Sequence, residues 1–164
     1  MIRLPGLRSA LLTAAACAGL LLSNSTSYAQ SGPFAGLAGV WSGGGTVTLD
    51  DGSTERIRCR ATYAVGGGGT GLNQSLTCAS DSYRFNLSSN VVSNGGSLSG
   101  TWSESSRNVN GSLEGRGSNG NFQVGASAPG FMANITLTTR GNRQSVVIRA
   151  ESQFRGASIS LSRS

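Results

Sequence analysis

The chain has 164 residues, 25 of them Gly, with 12% charged residues and no His, and all 13 basic residues are Arg. This removes Ser-His-Asp triads, Ser-Lys dyads, Schiff-base lysines and His-ligated zinc or haem. With seven carboxylates and a formal net charge of +6, the composition points to a non-enzymatic binding or structural protein with no cofactor and no metal site.

Arg3 and Arg8 precede an apolar run from Leu11 to Leu22, and Ser27-Tyr28-Ala29 follows with small residues. This is the layout of a secretory signal peptide at residues 1–29, and it predicts cleavage after Ala29. Residues 30–164 then form a single exported domain, periplasmic or secreted. The apolar run falls short of the roughly 20 residues that span a bilayer, so no transmembrane segment is expected in the mature chain. Cys17 raises lipidation as an alternative, but it sits inside the apolar run rather than at its end.

Beyond Ser31-Gly32-Pro33, short alternating runs are separated by turn clusters, and no window carries a helical period. Val47 and Leu49 alternate with Thr46, Thr48 and Asp50 before the Asp51-Gly52 turn. In the next run Ile57, Cys59, Ala61, Tyr63 and Val65 share one face, and Arg56, Arg58, Arg60 and Thr62 the other. Further strands are predicted over 72–79, 83–92, 97–104, 108–115, 122–126, 131–139, 144–150 and 154–162. Turns fall at Gly66 to Gly69, Asn94-Gly95-Gly96, Gly117 to Gly120, Pro129-Gly130 and Gly141-Asn142. The reading is all-β, an antiparallel meander of eight to ten strands closing as an up-and-down barrel, with a sandwich or a solenoid as alternatives. Connections this short leave no room for crossover helices, which excludes parallel α/β architectures. Segments such as Gly39-Val40-Trp41-Ser42 and Gly100-Thr101-Trp102-Ser103 echo one another at unequal spacings, so the chain is not a repeat array.

If Val65 and Leu72 face each other across the Gly66 to Gly71 turn, antiparallel register holds the sum of paired residue numbers constant. Cys59 then faces Cys78, Ala61 faces Leu76 and Arg56 faces Asp81. In an oxidising compartment the cysteine pair is expected to be a disulfide, contributing on the order of 3 kcal/mol. A redox-active or metal-binding pair is disfavoured by the wide spacing and the missing His.

Arg56, Arg58 and Arg60 stand about 7 Å apart on one strand face, and Arg84 is expected to join them from a neighbouring strand. Guanidinium forks suit phosphates and carboxylates, so this stripe is the candidate contact for an anionic envelope component or an acidic protein surface. The plainer reading is a solvated face that discourages aggregation. Nucleic acid is not expected as a partner, because the chain is exported and the stripe lacks interleaved aromatics. Trp41, Tyr63, Phe85, Trp102 and Phe122 read first as core and alternatively as the lining of an apolar cavity. Glycines expected to point inward, such as Gly100, Gly111 and Gly115, either leave space or permit strand bending. No two carboxylates are brought together as a catalytic pair.

The opening Leu37-Ala38-Gly39-Val40-Trp41 resembles the G-x-W start of calycin barrels, and also the L-A-G-x-W segment of small bacterial periplasmic inhibitors of secreted metalloproteases, which are compact barrels with one disulfide. The tail Gly156 to Arg163 resembles the G-x-x-V-x-L-S-R ending of related outer-membrane lipoproteins. The inhibitor resemblance implies that residues 30–34, from Gln30 to Phe34, would enter a protease cleft. Three functional expectations follow. The first is a non-enzymatic envelope barrel that binds another component through its arginine face, the second an inhibitor of a secreted protease, and the third a carrier of a small apolar ligand.

Overall fold

Ten antiparallel strands, each hydrogen-bonded to the next in sequence, close on themselves where the first meets the last: β1 (Gly39–Leu49), β2 (Thr54–Gly66), β3 (Gly71–Ala79), β4 (Arg84–Asn94), β5 (Ser97–Glu104), β6 (Val109–Ser118), β7 (Asn121–Ala128), β8 (Phe131–Arg140), β9 (Arg143–Ala150) and β10 (Phe154–Arg163). The computed structural model describes residues 31–152 and 154–164; the signal-peptide segment, Cys17 and Gln30 lie outside the described residues. The closed up-and-down order replaces the sandwich and solenoid alternatives. Closure leaves no edge strand exposed, which removes the usual route to edge-to-edge association.

Strand alternation sets the two surfaces. Along β2, Ile57, Cys59, Ala61 and Tyr63 are buried while Arg56, Arg58, Arg60 and Thr62 are exposed. The same parity repeats around the barrel, so the outer wall is Ser, Thr, Asn and Arg, and the large apolar side chains that reach solvent are Val92, Met132 and Val147. This polarity is opposite to that of a lipid-embedded barrel, whose outer belt is apolar.

The β2–β3 ladder has the anticipated register, with Val65 opposite Leu72, Ala61 opposite Leu76 and Cys59 opposite Cys78. Cys59 and Cys78 form a disulfide on the inner wall, their Cα atoms 4.1 Å apart. The expected Arg56–Asp81 pair is not formed, because the ladder stops at Arg58 opposite Ala79. Beyond it the chain bends: Ser80 N–H donates to the Tyr83 carbonyl at 2.7 Å, and the Glu55 carboxylate accepts the Ser82 N–H at 3.1 Å and the Ser82 hydroxyl. The turn's own hydrogen bonds therefore replace the projected ion pair.

Gly100, Gly111 and Gly115 point inward, and their role is bending. A Cβ at these positions would run into the carbonyl oxygens of Asn90, Ser127 and Gln123 on the adjacent strands. The wall is coiled so tightly there that only a residue without a side chain fits.

Candidate functional site

One end of the barrel is plugged. The 3₁₀ turn Ala35–Leu37 folds beneath β1, burying Phe34 and Leu37. Phe34 stacks on Phe122 with ring centroids 5.7 Å apart, and Trp41 Nε1 donates to the Leu37 carbonyl at 2.8 Å. The segment before the plug is tied to the β2–β3 turn: Gly32 N–H donates to the Gly68 carbonyl at 2.8 Å and Phe34 N–H to the Gly69 carbonyl at 3.0 Å.

Above this floor the interior is not filled. A cavity of about 380 Å³ runs along the barrel axis, within the range of roughly 300–1,000 Å³ that small-molecule sites occupy. Its cause is partly arithmetic, since barrel width grows with strand number and eight strands already suffice to hold one small ligand. Small inward residues on its wall, Ala126 and Ala133, widen it further. Inward-facing Leu76, Leu87, Val124, Ile135, Leu137 and Ile148 are only half-buried because the void, rather than another side chain, lies in front of them.

The opposite end carries an aromatic collar. Tyr83 packs on Phe85 and Phe154 at 5.9 and 5.6 Å between centroids, Phe154 approaches Phe131 at 6.3 Å, and Phe131 meets Trp102 at 5.3 Å. Arg107 lies over the Tyr83 ring at 4.5 Å and donates from Nη1 to the Arg84 carbonyl at 3.0 Å. Glu104, inward-facing and buried at the end of β5, is satisfied by three backbone donors: the Asn86 N–H at 2.8 Å, the Ser106 N–H at 3.2 Å and the Arg107 N–H at 2.7 Å. Burial alone would raise its pKa. These N–H groups, with the Ser106 hydroxyl, outweigh that effect and hold it below the ordinary value. Arg107 adds an ion pair at 3.6 Å. Among the described residues, Glu104 and Arg107 are the only charged side chains on the cavity wall, and both belong to this end.

Deeper in, the polar groups are uncharged. Tyr63 Oη donates to Gln144 Oε1 at 2.8 Å, and Gln144 Nε2 donates to Thr139 Oγ1 at 3.0 Å. Burial pushes the Tyr63 phenol well above its usual pKa, so it remains protonated and acts as a donor. Ser89 Oγ donates to Gln74 Oε1 at 3.1 Å. Register joins these residues: Tyr63 is opposite Gln74, Gln74 opposite Ser89, and Ser89 opposite Trp102.

Of the aromatics singled out from the sequence, Tyr63, Phe85, Trp102 and Phe122 stand on the cavity wall, while Trp41 belongs to the plugged end. Arg56, Arg58, Arg60 and Arg84 are exposed on the outer surface. Arg58 and Arg84 share one row with Ala79 between them, and none of the four has a carboxylate partner within 4.0 Å among the described residues. The acidic side chains are unevenly spread along the axis. Asp50, Asp51, Glu55, Asp81, Glu104 and Glu151 lie at the collar end together with Arg84, Arg107, Arg149 and Arg155, whereas Arg140, Arg143 and Arg163 lie at the plugged end and Arg116 shares the outer face of β6 with Glu114.

Sequence reasoning missed Gln74, Ser89, Gln144 and Glu104. A signal existed: the register that pairs Cys59 with Cys78 also sets Gln74 opposite Tyr63 on the inner face, where a polar residue interrupts an apolar alternation. Among the described residues no group of three or more His, Cys, Asp and Glu side chains is arranged to hold a metal ion. Neither a protein-family model nor a curated protein matches the chain, so the functional reading rests on this geometry.

Proposed function

We propose that this protein is an exported, non-enzymatic barrel that binds a small apolar molecule inside its cavity. The observation that carries the reading is an apolar interior with an unfilled core of about 380 Å³, plugged at one end and ringed by aromatic side chains at the other. Emptying a core is costly: lost contacts around a cavity amount to about 24 cal/mol per Å³ in well-studied cases. A void of this size, kept open by small inward residues, is readily explained if a ligand fills it. Export is supported by the signal-like leader and by a disulfide that suits an oxidising compartment. Native mass spectrometry of protein purified from its own compartment tests the reading. A retained apolar molecule, or tight displacement of a neutral fluorescent dye such as N-phenylnaphthylamine, is the expected outcome; an empty mass together with no dye binding refutes it.

The outer arginines favour a second, compatible reading, contact with an anionic envelope component. Arg56, Arg58, Arg60 and Arg84 offer guanidinium forks with no carboxylate taking them up among the described residues. The inhibitor reading receives less support. Phe34 is buried on Phe122 and the residues before it are bonded to the β2–β3 turn, so insertion of this segment into a protease cleft would first unplug the barrel.

A further inference from the structure

The interior polar row limits what the cavity can hold. Ser89 is buried and its hydroxyl is spent on Gln74 Oε1. That bond takes up the Gln74 carboxamide oxygen and leaves Nε2 as the amide's spare donor. Gln74 is half-buried on the cavity wall, and among the described residues its amide nitrogen has no protein partner. The neighbouring Tyr63 O–H is committed to Gln144, and Gln144 in turn to Thr139. Trp102 Nε1 is buried against the Gly111 backbone and does not reach the void. The mid-cavity wall therefore presents a spare amide donor and no formal charge.

Resting on the cavity reading, we infer that the ligand is an uncharged apolar molecule carrying one hydrogen-bond-accepting oxygen, a ketone, ester or quinone-like carbonyl, which docks on Gln74 Nε2. A bare hydrocarbon would leave the amide unpaired in an apolar enclosure, and an unmade buried hydrogen bond is unfavourable. A carboxylate is disfavoured for the opposite reason: no cation stands near the row, and Arg107 at the collar already faces Glu104. An ionised head buried mid-cavity would have only an amide to replace its water.

The test uses the mature protein and displacement of N-phenylnaphthylamine by decane, the methyl ketone of the same length, and decanoate at neutral pH. The ketone is expected to bind about three- to tenfold tighter than decane, the range of one net hydrogen bond, and decanoate to bind weakest. Gln74→Met keeps the volume and removes the donor; it should still bind decane but lose the ketone preference. Gln74→Asn, which withdraws the amide by one methylene, should show a reduced preference, and the melting temperature of each variant reports its folding. Equal binding of ketone and decane by the unmodified protein, tightest binding of decanoate, or a ketone preference that survives Gln74→Met would overturn the inference while leaving an apolar cavity standing. Failure of the dye and of all three compounds to bind would instead remove the cavity reading itself.

Discussion

The Arg163 guanidinium lies 4.5 Å over the Trp41 ring and fastens the last strand to the first turn of the chain. Its Nη1 donates to the Ala38 carbonyl and its Nη2 to the Gly36 carbonyl at 2.6 Å, while Trp41 and Arg163 are register partners in the β1–β10 ladder that closes the barrel. The Leu37 to Trp41 opening, which resembles the start of calycin barrels, and the Gly156 to Arg163 tail, which resembles the ending of outer-membrane lipoproteins, thus meet in one contact. Arg163→Ala should lower stability by about 1–3 kcal/mol, combining a lost cation–π contact with two stranded carbonyls. Arg163→Lys should recover only part, because an ammonium cannot stack and fork at once. Urea denaturation of the three proteins measures both.

The Cys59–Cys78 bridge spans 19 residues on the buried inner wall. The paired Cys59→Ala, Cys78→Ala variant should be about 2–4 kcal/mol less stable, mainly through a freer unfolded chain. Folded, unreduced protein should show no thiol labelling at these two positions. Equal denaturation midpoints with and without reductant would contradict this.

Glu104 links stability to pH. Its folded pKa lies below the ordinary carboxylate value of about 4.3 because backbone N–H groups favour the ionised form. Its contribution is therefore present above that unfolded value and lost as pH falls through the lower folded one. Glu104→Gln should be about 1–3 kcal/mol less stable at neutral pH. The gap to the unmodified protein should narrow as the medium is taken below pH ~4. A gap that stays constant between neutral and acid pH would show that ionisation plays no part.

Glycines divide by what their missing side chain would meet. At Gly45 a Cβ would overlap the Ser158 carbonyl across the β1–β10 closure, whereas at outward-facing Gly125 the nearest atom, the Glu114 carbonyl oxygen, is 3.7 Å away. Gly45→Ala should cost more than about 3 kcal/mol or prevent folding, and Gly125→Ala should be neutral or stabilising by about 0.5 kcal/mol. Thermal denaturation distinguishes them.

Reversing Arg56, Arg58 and Arg60 to Glu should leave the fold intact, since all three are exposed and unpaired. If the second functional reading holds, the variant should lose retention on an anionic matrix in low salt while dye binding in the cavity is unchanged. Retention equal to that of the unmodified protein would remove the arginine face as the contact.

Much of the architecture was legible before folding. Alternation with period two, together with turn clusters of Gly, Asn and Pro, marks strands by local chemistry; β2 to β10 lie within a few residues of their reading, whereas β1 starts at Gly39, well ahead of the Thr46 to Asp50 alternation, because its glycine-rich first half carries no apolar alternation. The β2–β3 register needed only one anchor, because antiparallel pairing conserves its sum and a slip of one residue would turn Arg58 inward. Its extension to Arg56 and Asp81 failed because ladder arithmetic contains no information on where a strand ends, and there the Ser80 to Tyr83 turn offered better hydrogen bonds.

From the linear chain alone came the all-β class, the inner and outer faces, the disulfide and the exposed arginines, all consequences of nearest-neighbour stereochemistry and the exclusion of charge from an apolar interior. Only the closed structure decided that ten strands enclose more volume than their side chains fill, that Phe34 stoppers one end, and that Ser89 and Trp102 continue the Tyr63–Gln74 pair into one row. Those features depend on barrel circumference and on contacts among residues far apart in sequence, and no local pattern encodes the sum of so many distant pairings.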